Sequence, residues 1–352
     1  MKGFNCLFAA CVLAGVACGP AVAGSKTPAP SWAVSKTIAL GEPDRWDYLT
    51  FDADTGRLYV SHGDRVSVVD GQSGSVIGSI TGMPGGTHGI AISHATGQGF
   101  TDDGHAGEAV VFDLKTLKVL KRIAAQPDAD GIVFDPASGH VFVIDGDSGK
   151  VTVIDPKLDH AITTVDGGGG LEFGVSGDNG KIYVNGAEKH EIVRIDTATN
   201  TADAHWPMPE CERPHGLAID PVHHRLFSTC ANKVMVVMNA ETGMVIANLP
   251  IDAGSDAAAF DPVRGLAFST NFSGTLSVVA EETPSKFVTL PAVHTMLGAR
   301  TMTLDPKSGR IYLVAADITV NPSAGPKDYR HRYRVKPGSV ALYFLDPAKP
   351  AP

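Results

Sequence analysis

The sequence predicts an all-β fold, a seven-bladed β-propeller with four antiparallel strands in each blade. One observation is a hairpin-like segment that recurs seven times, with a period of about 41 to 44 residues. A second is that β-patterned segments follow each copy, which gives four strands per unit, as in propeller blades. A third concerns closure: the last copy lacks a fourth strand, and the chain carries a spare one near its start.

The recurring segment predicts the first two strands of each blade. Each copy places a turn such as DPxxG between two short β-patterned runs, and Pro and Gly supply the backbone geometry of a tight turn. The copies are YLTFDADTGRLYV (48–60), GIAISHATGQGFT (89–101), GIVFDPASGHVFV (131–143), FGVSGDNGKIYV (173–184), GLAIDPVHHRLFS (216–228), AAAFDPVRGLAFS (257–269) and TMTLDPKSGRIYL (301–313). One aromatic residue of each copy is expected in the core between blades: Tyr59, Phe100, Phe142, Tyr183, Phe227, Phe268 and Tyr312.

The third and fourth strands of each blade follow the recurring segment. Third strands run from VSVVD (66–70) in the first blade to VALYFLD (340–346) in the last. Fourth strands such as SVIGSI (75–80) follow in six blades only. We therefore expect AVSKTIALG (33–41) to complete the last blade and close the ring, which removes open sheet edges.

Several stretches of the chain look like blade signatures of a known family. They are WDYLTFDADTGRLYVSHG (46–63), LEFGVS (171–176), GLAIDPVHHRLFSTCANK (216–233), DAAAFDP (256–262) and GARTMTLDP (298–306). Over nearly its whole mature length the chain resembles the YVTN/YncE-like bacterial seven-bladed propellers. This resemblance implies the fold and export, and it implies little about chemistry, because propellers host many functions.

The N-terminus predicts a secretory signal peptide over residues 1–23. Lys2 supplies a positive end, residues 4–18 are largely apolar, and AVA (21–23) offers a cleavage site after Ala23. A membrane anchor and a lipoprotein signal at Cys18 are the alternatives, and the apolar run is short for a bilayer span. We expect a flexible leader over 24–32, a single propeller domain over 33–350, no transmembrane segment in the mature chain, and a periplasmic or secreted monomer.

Composition limits the partners that this chain can have. The 352 residues are 43% hydrophobic and carry a formal net charge of −9, with no basic block along most of the length. Duplex nucleic acid is disfavoured as a partner, because phosphate neutralisation needs clustered Lys and Arg.

Removal of residues 1–23 leaves two cysteines, Cys211 and Cys230. The predicted blades put both on one face, so an exported protein is expected to join them in a disulfide; two reduced thiols are the alternative. His223 and His224 fall in a turn on the opposite face. They cannot join the cysteines around one zinc ion, and we expect them to be solvated turn residues.

The residue just before each first strand should approach the central channel. Most of these residues, which we call the channel-mouth ring, are ionisable: Asp47, His88, Asp130, Leu171, His215, Asp256 and Arg300. Leu171 is followed by Glu172, which a slight shift would bring into the ring. An outer ring is expected at the ends of the second strands: His62, Asp103, Asp145, Asn185 (one place out of register), Cys230, Asn271 and Ala315.

Three interpretations of the channel-mouth ring stay open. Its polar groups could only satisfy loop hydrogen bonds. They could bind a protein partner or a small anionic or carbohydrate ligand, which is the favoured function. They could hold a divalent metal, with His88, His215, Glu172 and Asp256 as candidate ligands, in a lactonase-like hydrolase or lyase whose site lies in the central channel. No cofactor other than such a metal is indicated.

Blade 7 carries an insertion over 319–336, which we call the lid and expect to be a long basic loop on the channel-mouth face. Its notable residues are Lys327, Tyr329, Arg330, His331, Arg332, Tyr333, Arg334 and Lys336. Long loops in compact domains are often functional. The lid could gate or dock an anionic ligand, a polysaccharide or a protein, or it could only pack over the ring.

Overall fold

The computed structural model describes Met1, residues 31–325 and residues 329–348. Most of the predicted signal peptide and leader, and part of the lid, lie outside these residues. Within them no helix has the length and hydropathy needed to cross a membrane.

Seven four-stranded antiparallel sheets form the blades of a propeller, as the sequence predicts. Blade 1 comprises β2 (Leu49–Asp52), β3 (Arg57–His62), β4 (Arg65–Asp70) and β5 (Val76–Thr81), and blade 2 comprises β6 (Ile90–Ser93), β7 (Gln98–Asp103), β8 (Glu108–Asp113) and β9 (Val119–Ala124). Blade 3 comprises β10 (Ala129–Phe134), β11 (Val141–Asp145), β12 (Lys150–Asp155) and β13 (His160–Asp166), and blade 4 comprises β14 (Leu171–Ser176), β15 (Lys181–Gly186), β16 (Glu191–Asp196) and β17 (Thr201–Pro207).

The other three blades complete the circle. Blade 5 comprises β18 (Pro214–Asp220), β19 (Arg225–Cys230), β20 (Val234–Asn239) and β21 (Val245–Pro250), and blade 6 comprises β22 (Ser255–Asp261), β23 (Leu266–Asn271), β24 (Thr275–Thr283) and β25 (Lys286–His294). Blade 7 comprises β26 (Thr301–Asp305), β27 (Arg310–Ala315), β30 (Ala341–Pro347) and β1 (Trp32–Ala39). A short 3-10 helix, Gly104–Ala106, links β7 to β8.

The N-terminal strand completes blade 7. β1 pairs antiparallel with β30, from Trp32 opposite Pro347 to Ala39 opposite Ala341. The predicted closure is therefore confirmed, with the strand beginning at Trp32, one residue earlier than the sequence suggested.

The turns between first and second strands follow from their Asp and Gly residues. In blade 6 the Asp261 carboxylate accepts from the backbone N–H of Val263 and Arg264, at 2.9 and 3.1 Å. Gly265 adopts a φ of +63° and returns its N–H to the Asp261 carbonyl at 2.8 Å. A side chain would strain this backbone, so Gly closes the hairpin.

The core lies between neighbouring blades. Each first strand contacts the first strands of the adjacent blades, so these strands surround the central axis. The aromatic residues expected in the core, from Tyr59 to Tyr312, are all at most 2% exposed. Burying large aromatic side chains between sheets is the main stabilising contribution of such an arrangement.

The lid carries short regular elements. They are β28 (Ile318–Val320), which begins one residue before the lid, α1 (Tyr329–Arg332) and β29 (Tyr333–Val335), and β28 pairs antiparallel with β29. This two-stranded ribbon satisfies backbone groups that would otherwise bond to water, and residues 321–325 between its strands form neither strand nor helix.

Candidate functional site

β-Bulges position four residues of the channel-mouth ring. Pairing between first and second strands is irregular around Asp130, Glu172, His215 and Asp256. A bulge bends a strand and redirects one side chain. In blade 4, Leu171 is 4% exposed and belongs to the core, whereas the next residue, Glu172, faces His215.

Arg300 connects three blades at the ring. Its Nη1 lies 2.7 Å from Oδ2 of Asp256 in blade 6, and its Nη2 lies 3.6 Å from Oδ2 of Asp47 at the start of blade 1. The charge of Asp256, and then that of Asp47, raises the pKa of Arg300. Burial raises the pKa of Asp256 to about 6, although Arg300 opposes this shift.

His215 and Glu172 form the pair between blades 5 and 4. Nδ1 of His215 lies 3.6 Å from Oε1 of Glu172, and both side chains are about one-fifth exposed, at 22% and 23%. Interaction with Glu172 raises the pKa of His215. The pair can therefore offer an acceptor and a donor side by side.

His88 is held by a carboxylate that the ring itself does not include. Its Nδ1 lies 2.6 Å from Oδ2 of Asp102, and its backbone N–H donates to Oδ1 of Asp102 at 2.7 Å. Burial opposes a charge on His88, yet the hydrogen bond and charge of Asp102, with Asp130 and Asp47, raise its pKa to about 9. Nε2 lies 2.9 Å from the Arg45 guanidinium, and this contact suits the neutral ring, since a protonated ring has no lone pair there.

Carboxylates from four blades act electrostatically on Tyr48. Tyr48 is 7% exposed and packs on Phe173, with ring centroids 4.6 Å apart. Its pKa is raised well above the usual value by burial and by the charges of four carboxylates from four blades, which are Asp256, Asp130, Asp47 and Glu172. Asp130 has a raised pKa through burial and the charge of Asp47.

A cavity of about 460 Å³ opens beside Asp130 and Glu172. Its charged lining residues are Asp128, Asp130, Asp147, Glu172, Glu188, His190 and Arg213. Five carboxyl groups against one histidine and one arginine make this part of the channel mouth acidic.

The expected outer ring is buried and bonded internally. His62, Asp103, Asp145, Asn185 and Asn271 are at most 2% exposed. Asn185 donates to the His215 carbonyl at 2.8 Å, and Asp103 accepts from the Gly85 N–H at 2.7 Å. These side chains hold the loops that carry the channel-mouth ring, and they do not face the channel mouth themselves.

Cys211 and Cys230 form a disulfide, as predicted, with Cα atoms 5.4 Å apart. It joins the segment before β18 to the end of β19. His215 lies between these points, so the bond fixes the segment that presents the imidazole.

The four candidate metal ligands do not assemble into a metal-binding group. Within the described residues, His88, His215, Glu172 and Asp256 are absent from the sets of three side chains whose donor atoms lie within 4.8 Å of one another. Both ring nitrogens of His88 already have polar neighbours, Asp102 and Arg45. The ring residues therefore do not fit a metal centre.

The lid packs on the channel-mouth side of blades 6, 7 and 1. Tyr333 contacts Phe272 edge to face, with centroids 4.8 Å apart. Ile318 and Val335 pack against the core cluster that contains Trp46. Arg332 donates to the Ala324 carbonyl at 3.2 Å. Arg334 and Lys336 are exposed. Residues 326–328 and the side chains of Tyr329 and Arg330 lie outside the described part of the lid.

Sequence reasoning missed Arg45, Tyr48 and Asp102 as neighbours of the ring. Arg45 and Tyr48 flank Asp47 within two residues in sequence, which is a usable signal. Asp102 precedes the predicted outer ring residue Asp103, and its inward direction could be read only from the strand alternation of β7.

No family model and no curated protein matches this chain. Solved structures do share its architecture. One is hydrazine synthase of Kuenenia stuttgartiensis, with a TM-score of 0.69, 15% identity, and coverage of 78% of this chain and 94% of that one. Another is a chain of the mitotic checkpoint complex, with a TM-score of 0.70, 14% identity, and coverage of 97% and 98%.

These likenesses define the class of protein: the chain is a seven-bladed β-propeller. At such low identity they carry the fold alone. The resemblance to YVTN/YncE-like propellers stays a prediction.

Proposed function

We propose that this chain is an exported propeller that binds a small, neutral, hydroxyl-rich ligand of the carbohydrate class at the channel-mouth ring. The observation that carries the proposal is that Asp47 and Asp256 share Arg300 while Asp130 and Glu172 line one cavity, so carboxylates from four blades border the channel mouth. Concave sites with converging polar groups are typical of ligand binding. The disulfide supports export, since such bonds persist in oxidising compartments.

The charges at the channel mouth favour a neutral carbohydrate over the anionic ligand that the sequence also left open. Arg300 faces Asp256 and Asp47, His215 faces Glu172, and His88 faces Asp102. Each of these three basic side chains is thus matched by a carboxylate, and the adjoining cavity carries five carboxyl groups against His190 and Arg213. An anionic ligand would meet net repulsion. Neutral hydroxyl groups can donate to the carboxylates and accept from Arg300 and His215.

Calorimetric titration with neutral hexoses and disaccharides tests this proposal, with amino sugars and sugar acids titrated in parallel. We expect saturable binding of a neutral sugar, weakened at least about tenfold in Glu172→Gln and in Asp130→Asn, since each loses a charged acceptor. Glu241→Gln is the matched control, because Glu241 lies in a turn on the opposite face. Stronger binding of sugar acids than of neutral sugars would contradict the proposal, and a preference for amino sugars would assign the site to cations.

A reaction at the same place is the second candidate. Asp256, with a pKa raised to about 6 by burial, is suited to accept a proton near neutral pH, beside a guanidinium that stabilises negative charge. Lactone hydrolysis that is lost in Asp256→Asn would favour this alternative. Because the ring does not fit a metal centre, the candidate reaction is acid–base catalysis by these side chains.

A further inference from the structure

An aspartate closes the turn after the first strand in five blades: Asp52, Asp135, Asp220, Asp261 and Asp305. In four of them the side chain three residues later donates to the carboxylate; these donors are Thr55, Ser138, Arg264 and Ser308. The distance is 2.7 Å for Ser138 and 2.8 Å for Arg264. Blade 5 differs, because the corresponding residue is His223.

His223 faces two buried carboxyl groups. Its Nδ1 lies 2.7 Å from Oδ2 of Asp220 and 2.9 Å from Oε1 of Glu281, a residue of β24 in the next blade. The Asp220 and Glu281 side chains are 2% and 3% exposed, whereas that of His223 is 45% exposed. A single imidazole nitrogen carries at most one hydrogen, so it cannot donate to both oxygens.

The buried oxygens have no hydrogen-bond donor of their own. Among the described residues, Oδ2 of Asp220 and both carboxylate oxygens of Glu281 lack a hydrogen-bond partner. Arg225 is nearby, but its guanidinium donates to the carbonyls of Pro284, His223 and His224. Oδ1 of Asp220 accepts from the Val222 N–H at 2.9 Å, so three of the four carboxylate oxygens lack a hydrogen bond within the described part of the chain, and a bound cation would stabilise them.

We propose that Asp220, His223 and Glu281 bind a divalent transition-metal ion, Zn²⁺ or Mn²⁺, between blades 5 and 6. All three donor atoms lie within 4.8 Å of one another. The separations of 2.7 and 2.9 Å are close to the roughly 3.0 Å between neighbouring ligand atoms about 2.1 Å from an octahedral ion, and shorter than the roughly 3.4 Å around a tetrahedral one. Imidazole and carboxylate ligands suit both metals.

The surroundings allow an ion to enter from solvent. A cavity of about 380 Å³, lined by the three residues and by Val222, Phe260 and Pro284 among others, opens beside them. Three protein ligands leave coordination positions for water. This metal site is on the face opposite the channel-mouth ring, so its test does not depend on whether the proposed ligand binds at the ring.

The other group of suitable composition, Asp52, Asp54 and His94, is weaker. The Asp52 oxygens accept from the backbone of Asp54, from Thr55 and from His94. Oδ2 of Asp52 therefore has the Thr55 hydroxyl as a donor, whereas among the described residues Oδ2 of Asp220 has no contact of this kind besides His223.

Calorimetric titration of untagged, chelator-treated protein with ZnCl₂ and with MnCl₂ tests the metal site. We expect one saturable equivalent, and at least about tenfold weaker binding in His223→Asn and in Glu281→Gln. His224→Asn is the matched control, because it removes the adjacent imidazole and Asn tolerates the positive φ of 55° at that position. Glu281→Gln keeps the side-chain volume and removes a buried charge. We therefore expect the thermal unfolding midpoint of its metal-free form to be no lower than that of the metal-free wild type.

The thermal unfolding midpoint provides a second readout. Metal should raise it for the wild type and for His224→Asn, and should raise it less or not at all for Glu281→Gln at the same metal concentration. The proposal is overturned if no saturable binding occurs, or if His223→Asn and His224→Asn bind alike. It is also overturned if binding persists in His223→Asn and is lost in a His88→Asn/His215→Asn variant, because the ion would then belong to the channel mouth.

Discussion

At the residue scale, the channel-mouth ring depends on pairs of opposite charge held between blades. Asp256 and Asp47 are 13% and 16% exposed, and Arg300 is their common partner. Partly buried carboxylates are costly without a cation. Each ring residue therefore has a structural contribution that any binding experiment must separate from recognition.

Replacing Arg300 separates the two contributions. Arg300→Gln should lower the free energy of unfolding by about 1–3 kcal/mol, because it leaves Asp256 and Asp47 without their partner. The double variant Arg300→Gln/Asp256→Asn should recover part of the loss, since one unpaired charge is gone. Urea unfolding of both variants measures this. If the double variant is no more stable than the single one, charge pairing is not what Arg300 contributes.

Asp145 should make the stability of the protein depend on pH. It is fully buried, and burial raises its pKa from 3.8 to about 7. Between these two values the native state binds more protons than the unfolded state, so stability falls as pH rises from about 4 to about 7. One such group contributes a slope of at most about 1.4 kcal/mol per pH unit.

The Asp145→Asn variant isolates this effect. Its amide oxygen can still accept from the Gln126 N–H, which bonds Oδ1 of the carboxylate, and its amide NH2 can donate to the Thr152 hydroxyl oxygen where Oδ2 now accepts, but it does not titrate. Urea midpoints between pH 4 and pH 8 should fall less steeply for Asp145→Asn than for the wild type, with the exposed Asp54→Asn as control. Equal slopes in all three proteins would show that the Asp145 carboxyl does not carry the pH dependence.

At the scale of the element, the disulfide fixes the segment that carries His215. Cys211 and Cys230 are at most 1% exposed and are 19 residues apart. Closing a loop of this length stabilises the fold by about 3 kcal/mol in the chain-entropy account. The bond therefore contributes both to blade 5 and to the local order of the ring.

Removing the bond should have a measurable cost. In a chain that begins at residue 31, the free energy of unfolding of Cys211→Ala/Cys230→Ala should be about 3 kcal/mol lower than that of the oxidised wild type. Alanine avoids placing a hydroxyl in this buried site. Reductant should lower the free energy of unfolding of the wild type toward that of the variant, and it should leave the free energy of unfolding of the variant unchanged. An oxidised and a reduced wild type with equal urea midpoints would contradict the prediction.

Strands and blades could be predicted from the sequence because the repeat fixes their order and their turns. The same register put Asp47, His88, His215 and Asp256 at one opening. The contacts that could not be predicted depend on the directions of side chains. Asp102 contacts His88 because the strand alternation of β7 turns its carboxylate inward. His223 contacts Glu281 across the boundary between two blades. The short ribbon of β28 and β29 could not be predicted because it follows no period of the repeat.

At the scale of the whole molecule, one noncontiguous strand closes the ring. β1 pairs with β30, and Trp32, at 5% exposure, contacts Phe268 with centroids 5.1 Å apart. The first strand of blade 1 also contacts that of blade 7. A circular arrangement of this kind holds its ends together through side chains and through this strand pairing, and an unpaired β30 would be an open sheet edge.

Deleting the closing strand tests this dependence. A chain that begins at residue 41 should associate in a concentration-dependent manner and unfold at a lower temperature than a chain that begins at residue 31, because β30 loses its backbone partners and the Trp32 pocket is open to water. Size-exclusion chromatography at several concentrations and thermal unfolding measure both effects. A synthetic peptide of residues 31–41 should bind in trans and restore the monomer, whereas the same peptide with Trp32→Ala should bind more weakly, since the indole supplies the buried contact. If the shortened chain remains monomeric with an unchanged unfolding midpoint, the seven sheets hold the ring closed by side-chain packing alone, and the strand exchange between the two ends of the chain does not stabilise the propeller.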